Sequence, residues 1–340
     1  MDDPRSARRA AARGRPPVTP EEIGAAHRRI RPAVPRTPTY RCLPLSERAG
    51  LEVYLKLESH QPTGVFKIRG AVNKVRLLSA AERGRGLVTA SSGNHGLSVA
   101  YAAAEAGARA TICVPRGASP AKLTLIRRYG GAVIEVGTTY NEAYAEALAL
   151  AASRGMVLVH AFEDPAVIAG QGTVGLEILE DVSGVRSVAV PVGGGGLIGG
   201  VATAAKGHDR RIEVVGVQAA GAPAMARAWR AGRLTRLRRL ATLADGLATK
   251  EVGPNTLAIA RRCVDRMLLV SDAELCGAVL WLLGECHVLA EPSGAAGVAA
   301  LLYGRWRPRG RAVVVVSGGN IAEALLRRLV TGQVAAAPVP

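Results

Sequence analysis

Four consecutive glycines, Gly193 to Gly196, follow the apolar run SVAVPV and open the segment LIGGVATAA. Bare backbone amides at the start of a helix cradle a phosphate, because glycine allows close approach and the helix dipole favours an anion. Gly194, Gly196 and Gly199 also satisfy GxGxxG, the spacing of a dinucleotide site. The next run, IEVVGVQ, however ends in Gln218 where an acidic ribose partner would stand, and no GK[ST] follows for nucleotide hydrolysis. The second centre is Lys67, in ESHQPTGVFKIRGAVNKV. The chain has six lysines (Lys56, Lys67, Lys74, Lys122, Lys206 and Lys250), so few amines are available to attack a carbonyl. Lys67 follows the turn Pro62-Thr63-Gly64 and the apolar pair Val65-Phe66, and it begins a helix. That setting desolvates the amine and favours its neutral, nucleophilic form. Taken alone, a lysine at a helix start is usually a surface feature. Ser91 and Ser92, in the loop SSGNHG, are by themselves more often N-caps than substrate ligands.

The elements that must hold these residues are legible as an alternation of short β-rich runs with alanine-rich amphipathic segments from about residue 51, the pattern of βαβ units around a parallel sheet. Candidate strands are VYLKLE, GLVTAS, ATICVP, AVIEVG, MVLVHA, SVAVPV, EVVGVQ, MLLVS and AVVVVS. Helices are expected over 98–106, 120–129, 140–154 and 196–206. Ligands of such doubly wound sheets bind beyond the carboxyl ends of the strands. Three loops at those ends stand out: SSGNHG (91–96), GGGG (193–196) and SGGN (317–320). With no fixed-period repeat or low-complexity linker, the two lobes must interleave. The expected division is a disordered tail over 1–24, a large domain from 25–85 plus 163–332, a small inserted domain over 86–162, and a tail over 333–340.

A chain of 340 residues exceeds one ordinary core, which suits two lobes and a cleft. With 49% hydrophobic and 21% charged residues and no apolar run of about 18 residues, a soluble protein is expected, with no membrane partner. The five cysteines (Cys42, Cys113, Cys263, Cys276, Cys286) are scattered, odd in number and without CxxC spacing. They argue against a disulfide framework and a structural zinc site, and for a reduced, cytoplasmic protein. The N-terminus MDDPRSARRAAARGRPP has no hydrophobic core, so neither a secretion signal nor a transit peptide fits. A net charge of +17 invites a nucleic-acid reading, but the arginines concentrate in the tail and in RAWRAGRLTRLRR without aromatic platforms. A solvated arginine-rich surface is the better reading, and no nucleic-acid partner is expected.

Six motifs occur in a telling order: QPTGVFKIRGA, TASSGNHG, PVGGGGLIGG, TLADGLA, EPSGAAG and VVSGGN. Over roughly residues 25 to 330 the sequence resembles the fold-type II pyridoxal-phosphate (PLP) enzymes, and within them the threonine/serine dehydratases and their relative serine racemase. The resemblance implies an α/β, two-lobed, tryptophan synthase β-like architecture and a homodimer. It implies that Lys67 carries PLP as a Schiff base, that Phe66 packs beside the pyridine ring and that Asn94 bonds the 3'-oxygen. Gly193, Gly194, Gly195, Gly196 and Leu197 would hold the phosphate, and Ser317 would meet the pyridine nitrogen. Ser91, Ser92, Asn94 and His95 would take the substrate carboxylate. A serine at the pyridine nitrogen makes a weaker electron sink than a carboxylate, which suits rapid loss of a β leaving group. The implied reaction is elimination of water and then ammonia from L-threonine, L-serine or a related β-hydroxy amino acid, with Lys67 also acting as general base.

The sequence departs from the family at Val65, where a small hydroxyl or alanine is common beside Phe-Lys. The two acidic residues that hold a cation in racemase-like relatives are replaced by Gln218 and Ala224, so no bound metal is expected. The chain ends soon after the SGGN helix, so the regulatory domain of feedback-controlled dehydratases, and inhibition by isoleucine, are not expected. Ser92 occupies the position of the residue that exchanges protons opposite the lysine in the racemase. It leaves amino-acid racemisation as the alternative to dehydration, ahead of a β-replacement transferase. The alternative outside enzymes is an arginine-rich nucleic-acid binder on a degenerate fold.

Overall fold

The computed structural model describes residues 16–118 and 120–339. Two sheets organise it. The larger has six strands in the order β1-β2-β10-β7-β8-β9: β1 (Thr39–Arg41), β2 (Val53–Leu57), β7 (Ser187–Pro191), β8 (Glu213–Ala219), β9 (Arg266–Val270) and β10 (Ala312–Val316). The smaller is β5-β4-β3-β6, built from β3 (Leu87–Ala90), β4 (Ala110–Val114), β5 (Ala132–Glu135) and β6 (Val157–Leu158). Every pairing is parallel except β1 with β2. Continuous burial along β3, β7 and β10 explains why these runs are uniformly apolar rather than alternating: helices cover both faces. The short edge strand β1 carries no β-rich signal and was not expected.

The helix Tyr140–Arg154 has the expected bounds, whereas the first helix of the small sheet begins earlier, at Asn94, and runs to Glu105. Gly196–His208 and Pro120–Arg128 differ from expectation only at their ends. Residues 1–15 of the expected N-terminal tail lie outside the described residues, and its remainder is ordered. Thr19 forms a capping box with Glu22 at the head of the helix Pro20–Ile30, and Val18 and Ile23 are buried. The expected tail at the other end is also held: the Ala337 amide donates to the Ala273 carbonyl, and the Tyr303 hydroxyl donates to the carbonyl of Ala337. The apolar core of the small sheet draws in Ile68, Ala71, Val72 and Val75 from the helix Lys67–Leu77. The helix that begins at Lys67 therefore bridges the two sheets.

That bridge is anchored by charge. Arg69 is fully buried and meets Glu58 and Glu177, with N–O distances of 2.7 Å to each, and Lys56 lies 2.7 Å from Glu177. Burial alone would raise the Glu177 carboxyl, but Arg69 and Lys56 hold it below its ordinary value. Removing one partner of such a cluster leaves buried charge uncompensated at a cost of roughly 3–5 kcal/mol. Arg69→Met is therefore expected to lower Tm by roughly 5 °C or more. Differential scanning calorimetry checks this, and a shift below a degree would show the cluster to be energetically neutral.

Candidate active site

The turn before Lys67 is fastened to the end of β10. The Phe66 amide donates to the Ser317 carbonyl at 3.1 Å, the Gly319 amide to the Gly64 carbonyl at 2.9 Å, and Val65 bridges Gly318. Gly64, at φ 69°, permits this reversal. The EPSG turn closes on the same loop, the Glu291 amide donating to the Gly318 carbonyl at 3.1 Å. A single backbone loop after β10 thus places Lys67, Ser317 and Glu291 together.

These residues line a cleft of about 500 Å³, its open mouth included, with Phe66, Asn94, Gly193 to Gly196 and Leu197 on its walls. All nine residues expected at a cofactor are therefore brought to one cavity. Of the residues expected at the substrate, Asn94 lines it, while Ser91, Ser92 and His95 do not. The buried His95 ring sits 2.9 Å from the Val159 carbonyl, and burial, aided by the nearby Lys67 charge, depresses its pKa to about 3. A neutral ring that donates to a carbonyl is an anchor for the small sheet. The Ser91 hydroxyl accepts from the Gly93 amide at 3.3 Å, as an N-cap-like turn does.

The glycine run is shaped by two close approaches. A Cβ on Gly194 would lie 2.3 Å from the Phe162 ring, and Gly195, at φ 97°, caps the helix Gly196–His208. A side chain at either position would be obstructed or strained, so the amides at this helix start stand bare in the cleft. Gln218, in place of an acid, is spent on structure: its carbonyl oxygen accepts from the Ala226 amide at 2.7 Å.

Lys67 faces a mainly uncharged wall. Its Nζ lies 3.4 Å from the Ala161 carbonyl and 5.2 Å from the Phe66 ring centre. Burial pushes its pKa down to about 8, partly offset by Glu291. Glu291 itself is pushed up to about 7, first by burial and then by Asp245. Its carboxylate accepts from the Asn94 side-chain NH2 at 2.8 Å, and the Asn94 side-chain oxygen accepts from the Asn320 side-chain NH2 at 2.8 Å. The chain Glu291–Asn94–Asn320 fixes which way the Asn94 amide points. Lys122 pairs with Asp245, and both charges act on Glu291.

The sequence reading missed Phe162, Gln171, Gly246, Leu247, Glu291 and Ser293 as lining residues. The TLADGLA and EPSGAAG motifs contain four of them and were the available signal. Phe162 and Gln171 carried none, since their role comes only from packing. The donor set fits PLP. A desolvated amine, a row of bare helix-start amides and a serine hydroxyl share one cavity, and the buried Ser293 hydroxyl in its wall has no partner.

Residues 30–318 match the family model described as "Pyridoxal-phosphate dependent enzyme", and the chain belongs to that family. It is 46% identical over 314 residues to the L-threonine ammonia-lyase of Thermotoga maritima, covering 92% of this chain and 78% of the relative. It is 41% identical over 305 residues to the catabolic L-threonine dehydratase TdcB of Staphylococcus aureus, with 88% of each covered. The structure of maize serine racemase superposes with a TM-score of 0.88 at 34% identity, over 93% of this chain and 98% of that one. The fold is accordingly that of fold-type II PLP enzymes, and the protein is a PLP-dependent lyase. No helix among the described residues is long and apolar enough to cross a membrane.

The proximity of Glu291 to Lys67 yields a test. Replacing the carboxylate by an amide removes an attraction that raises the Lys67 pKa, so Glu291→Gln is expected to move the Lys67 titration below about 8. The rate of PLP capture by apoenzyme, followed by absorbance against pH, then rises at lower pH than in wild type. An unchanged profile would uncouple the two groups.

Proposed function

We propose that this protein is an ammonia-lyase acting on L-threonine, L-serine or a related β-hydroxy amino acid, releasing a 2-oxo acid and ammonia. The observation that carries it is the convergence of the Lys67 amine, the Gly193–Leu197 amides and Ser317 on one cleft. The names of the ammonia-lyase and dehydratase relatives supply the substrate class. Gly193 to Gly196 and Leu197 would hold the phosphate, Phe66 would flank the ring, Ser317 would meet its nitrogen and Asn94 would bond the 3'-oxygen. Bound PLP supplies an electron sink for the α-carbon and so weakens the bond to the β-hydroxyl.

The protein's own groups do the rest. Lys67, with its pKa pushed down to about 8, holds a substantial neutral fraction near neutrality and accepts the α-proton of the substrate. Glu291 orients Asn94 through the 2.8 Å bond and holds part of the Lys67 population protonated, ready to return a proton. The family resemblance assigns the substrate carboxylate to the Ser91–His95 loop, of which Asn94 lines the cleft, and it would put the Ser92 hydroxyl on the side opposite Lys67.

We further propose a cytoplasmic homodimer, with residues 25–85 and 163–332 forming the large domain and 86–162 the small one. Light scattering tests the dimer, which requires a solution mass twice that of the chain. The second reading, racemisation, rests on Ser92 and on the likeness to maize serine racemase. The two are separated by incubating holoenzyme with a panel of L-β-hydroxy amino acids and measuring ammonia, 2-oxo acid and D-amino acid together. Dehydration predicts equal ammonia and 2-oxo acid from at least one of them. Abundant D-serine with little pyruvate would overturn it in favour of the racemase.

A further inference from the structure

Two of the five cysteines, 244 residues apart in sequence, meet on the side of the large sheet. Cys42 stands just before the helix Leu43–Ala49, and Cys286 is the last residue of the helix Asp272–Cys286. Their sulfurs are 3.3 Å apart, and both are free thiols. A disulfide requires about 2.05 Å, and the two sulfurs already stand within contact distance of each other. Cys113, Cys263 and Cys276 have no sulfur neighbour of this kind among the hydrogen-bonded contacts.

The two thiols differ in access and in charge. Cys42 is 2% exposed, whereas Cys286 is half-buried between the exposed residues Glu285 and His287. The contact between the two sulfurs and a hydrogen bond from the Leu45 amide hold Cys42 below its ordinary pKa against the opposing effect of burial. Cys286 is raised in turn, chiefly by that same sulfur contact and by burial. The pair therefore sheds one proton more readily than the other and titrates as a unit. Nearby Tyr40 is pushed up to about 12 by burial and by the two sulfurs, so its phenol stays neutral beside the pair.

We propose that Cys42 and Cys286 are a redox modification site that closes to an intramolecular disulfide when a low-molecular-weight disulfide such as oxidised glutathione is present. The pair loses one proton, and when the remaining proton sits on Cys42 the accessible Cys286 sulfur, as thiolate, attacks the external disulfide and releases one glutathione thiolate, which takes up the proton the pair lost. Cys42 then attacks the Cys286 sulfur of the mixed disulfide, its proton passing to the second glutathione thiolate as that leaves. Two protein thiols are oxidised and one external disulfide is reduced to two thiols. The crosslink ties the first strand and helix of the large sheet to a helix near the end of the chain, so it closes a long loop. Loops of this length give the largest restriction of the unfolded chain. Cys286 also precedes Glu291 by five residues, through the turn at His287, which holds a φ of 55°. The modification thus lies on the segment that carries a wall of the cleft.

Holoenzyme incubated with oxidised glutathione at pH 8 and then quenched is the test. The expected result is loss of two of the five titratable thiols and a Cys42–Cys286 linked peptide in a non-reducing digest. Tm should rise by roughly 3 °C or more, and dithiothreitol should reverse it. In Cys42→Ser the reaction should stop with glutathione on Cys286, and in Cys286→Ser no thiol should be lost. The peptide map of the wild-type protein decides the question even if a variant folds poorly. Five intact thiols, glutathione retained on wild-type Cys286, or a linked peptide joining other cysteines would each overturn the proposal.

Discussion

Lys67→Ala is expected to lower kcat/KM for ammonia release at least about 10³-fold while leaving the fold intact. Two losses combine. On the proposed assignment the substitution removes the amine that would hold the cofactor and the base that would accept the α-proton, and the base alone is worth roughly 10²–10⁴-fold. No neighbour substitutes for it: among the described residues no other lysine lines the cleft, and Lys122 and Lys56 are tied to carboxylates, Asp245 and Glu177. Folding should be spared, because the Lys67 Nζ makes only a long contact, 3.4 Å to the Ala161 carbonyl, and relief of its burial is a gain rather than a loss. The checks are steady-state ammonia release, circular dichroism, and the visible absorption of protein-bound PLP. Retention of that band together with more than a tenth of wild-type activity would remove Lys67 from its role.

Gly194→Ala is expected to weaken PLP binding by at least about 10²-fold, equivalent to roughly 2.7 kcal/mol. The new Cβ would sit 2.3 Å from the Phe162 ring, so either the ring or the glycine loop must move. Phe162 has little freedom. Its amide and that of Glu163 donate to the His160 ring nitrogen at 3.3 and 3.0 Å, and Glu163 caps the helix Pro254–Cys263 through the Asn255 and Thr256 amides. The displacement therefore falls on the amides that face the phosphate, whose hydrogen bonds depend on distance and direction. Equilibrium dialysis of PLP against apoenzyme measures the effect, and a change of less than threefold would show that the loop accommodates a side chain.

The chemistry of the cofactor site was legible because it is written in short contiguous motifs. Each motif is a strand end plus the loop that follows it, and local residue types alone decide the shape of such a loop. Gly193 to Gly196 must form an open turn wherever the chain goes, and Lys67 must follow its Pro-Thr-Gly turn. The parallel sheets were legible for the same reason: buried strands need continuous apolar runs, as β7 and β10 have. The extent of the N-terminal tail was misjudged because Val18 and Ile23 form only a small apolar signal, and their burial depends on Ile168 and Ile259 from distant helices.

What the sequence by itself determined is therefore the family, the cofactor and a set of residues that the fold brings to one cleft. The tertiary structure alone decided how those residues are tuned. Glu291 is distant from both Lys67 and Asn94 in sequence, yet it touches Asn94 and shifts Lys67, because the loop after β10 binds two turns at once. His95 reads as a substrate residue from its neighbours, but its ring is spent on the Val159 carbonyl. Cys42 and Cys286 read as scattered thiols and meet at 3.3 Å. Desolvation and charge coupling act through space over a few ångströms, and no spacing along a chain encodes a distance between residues that only folding brings together.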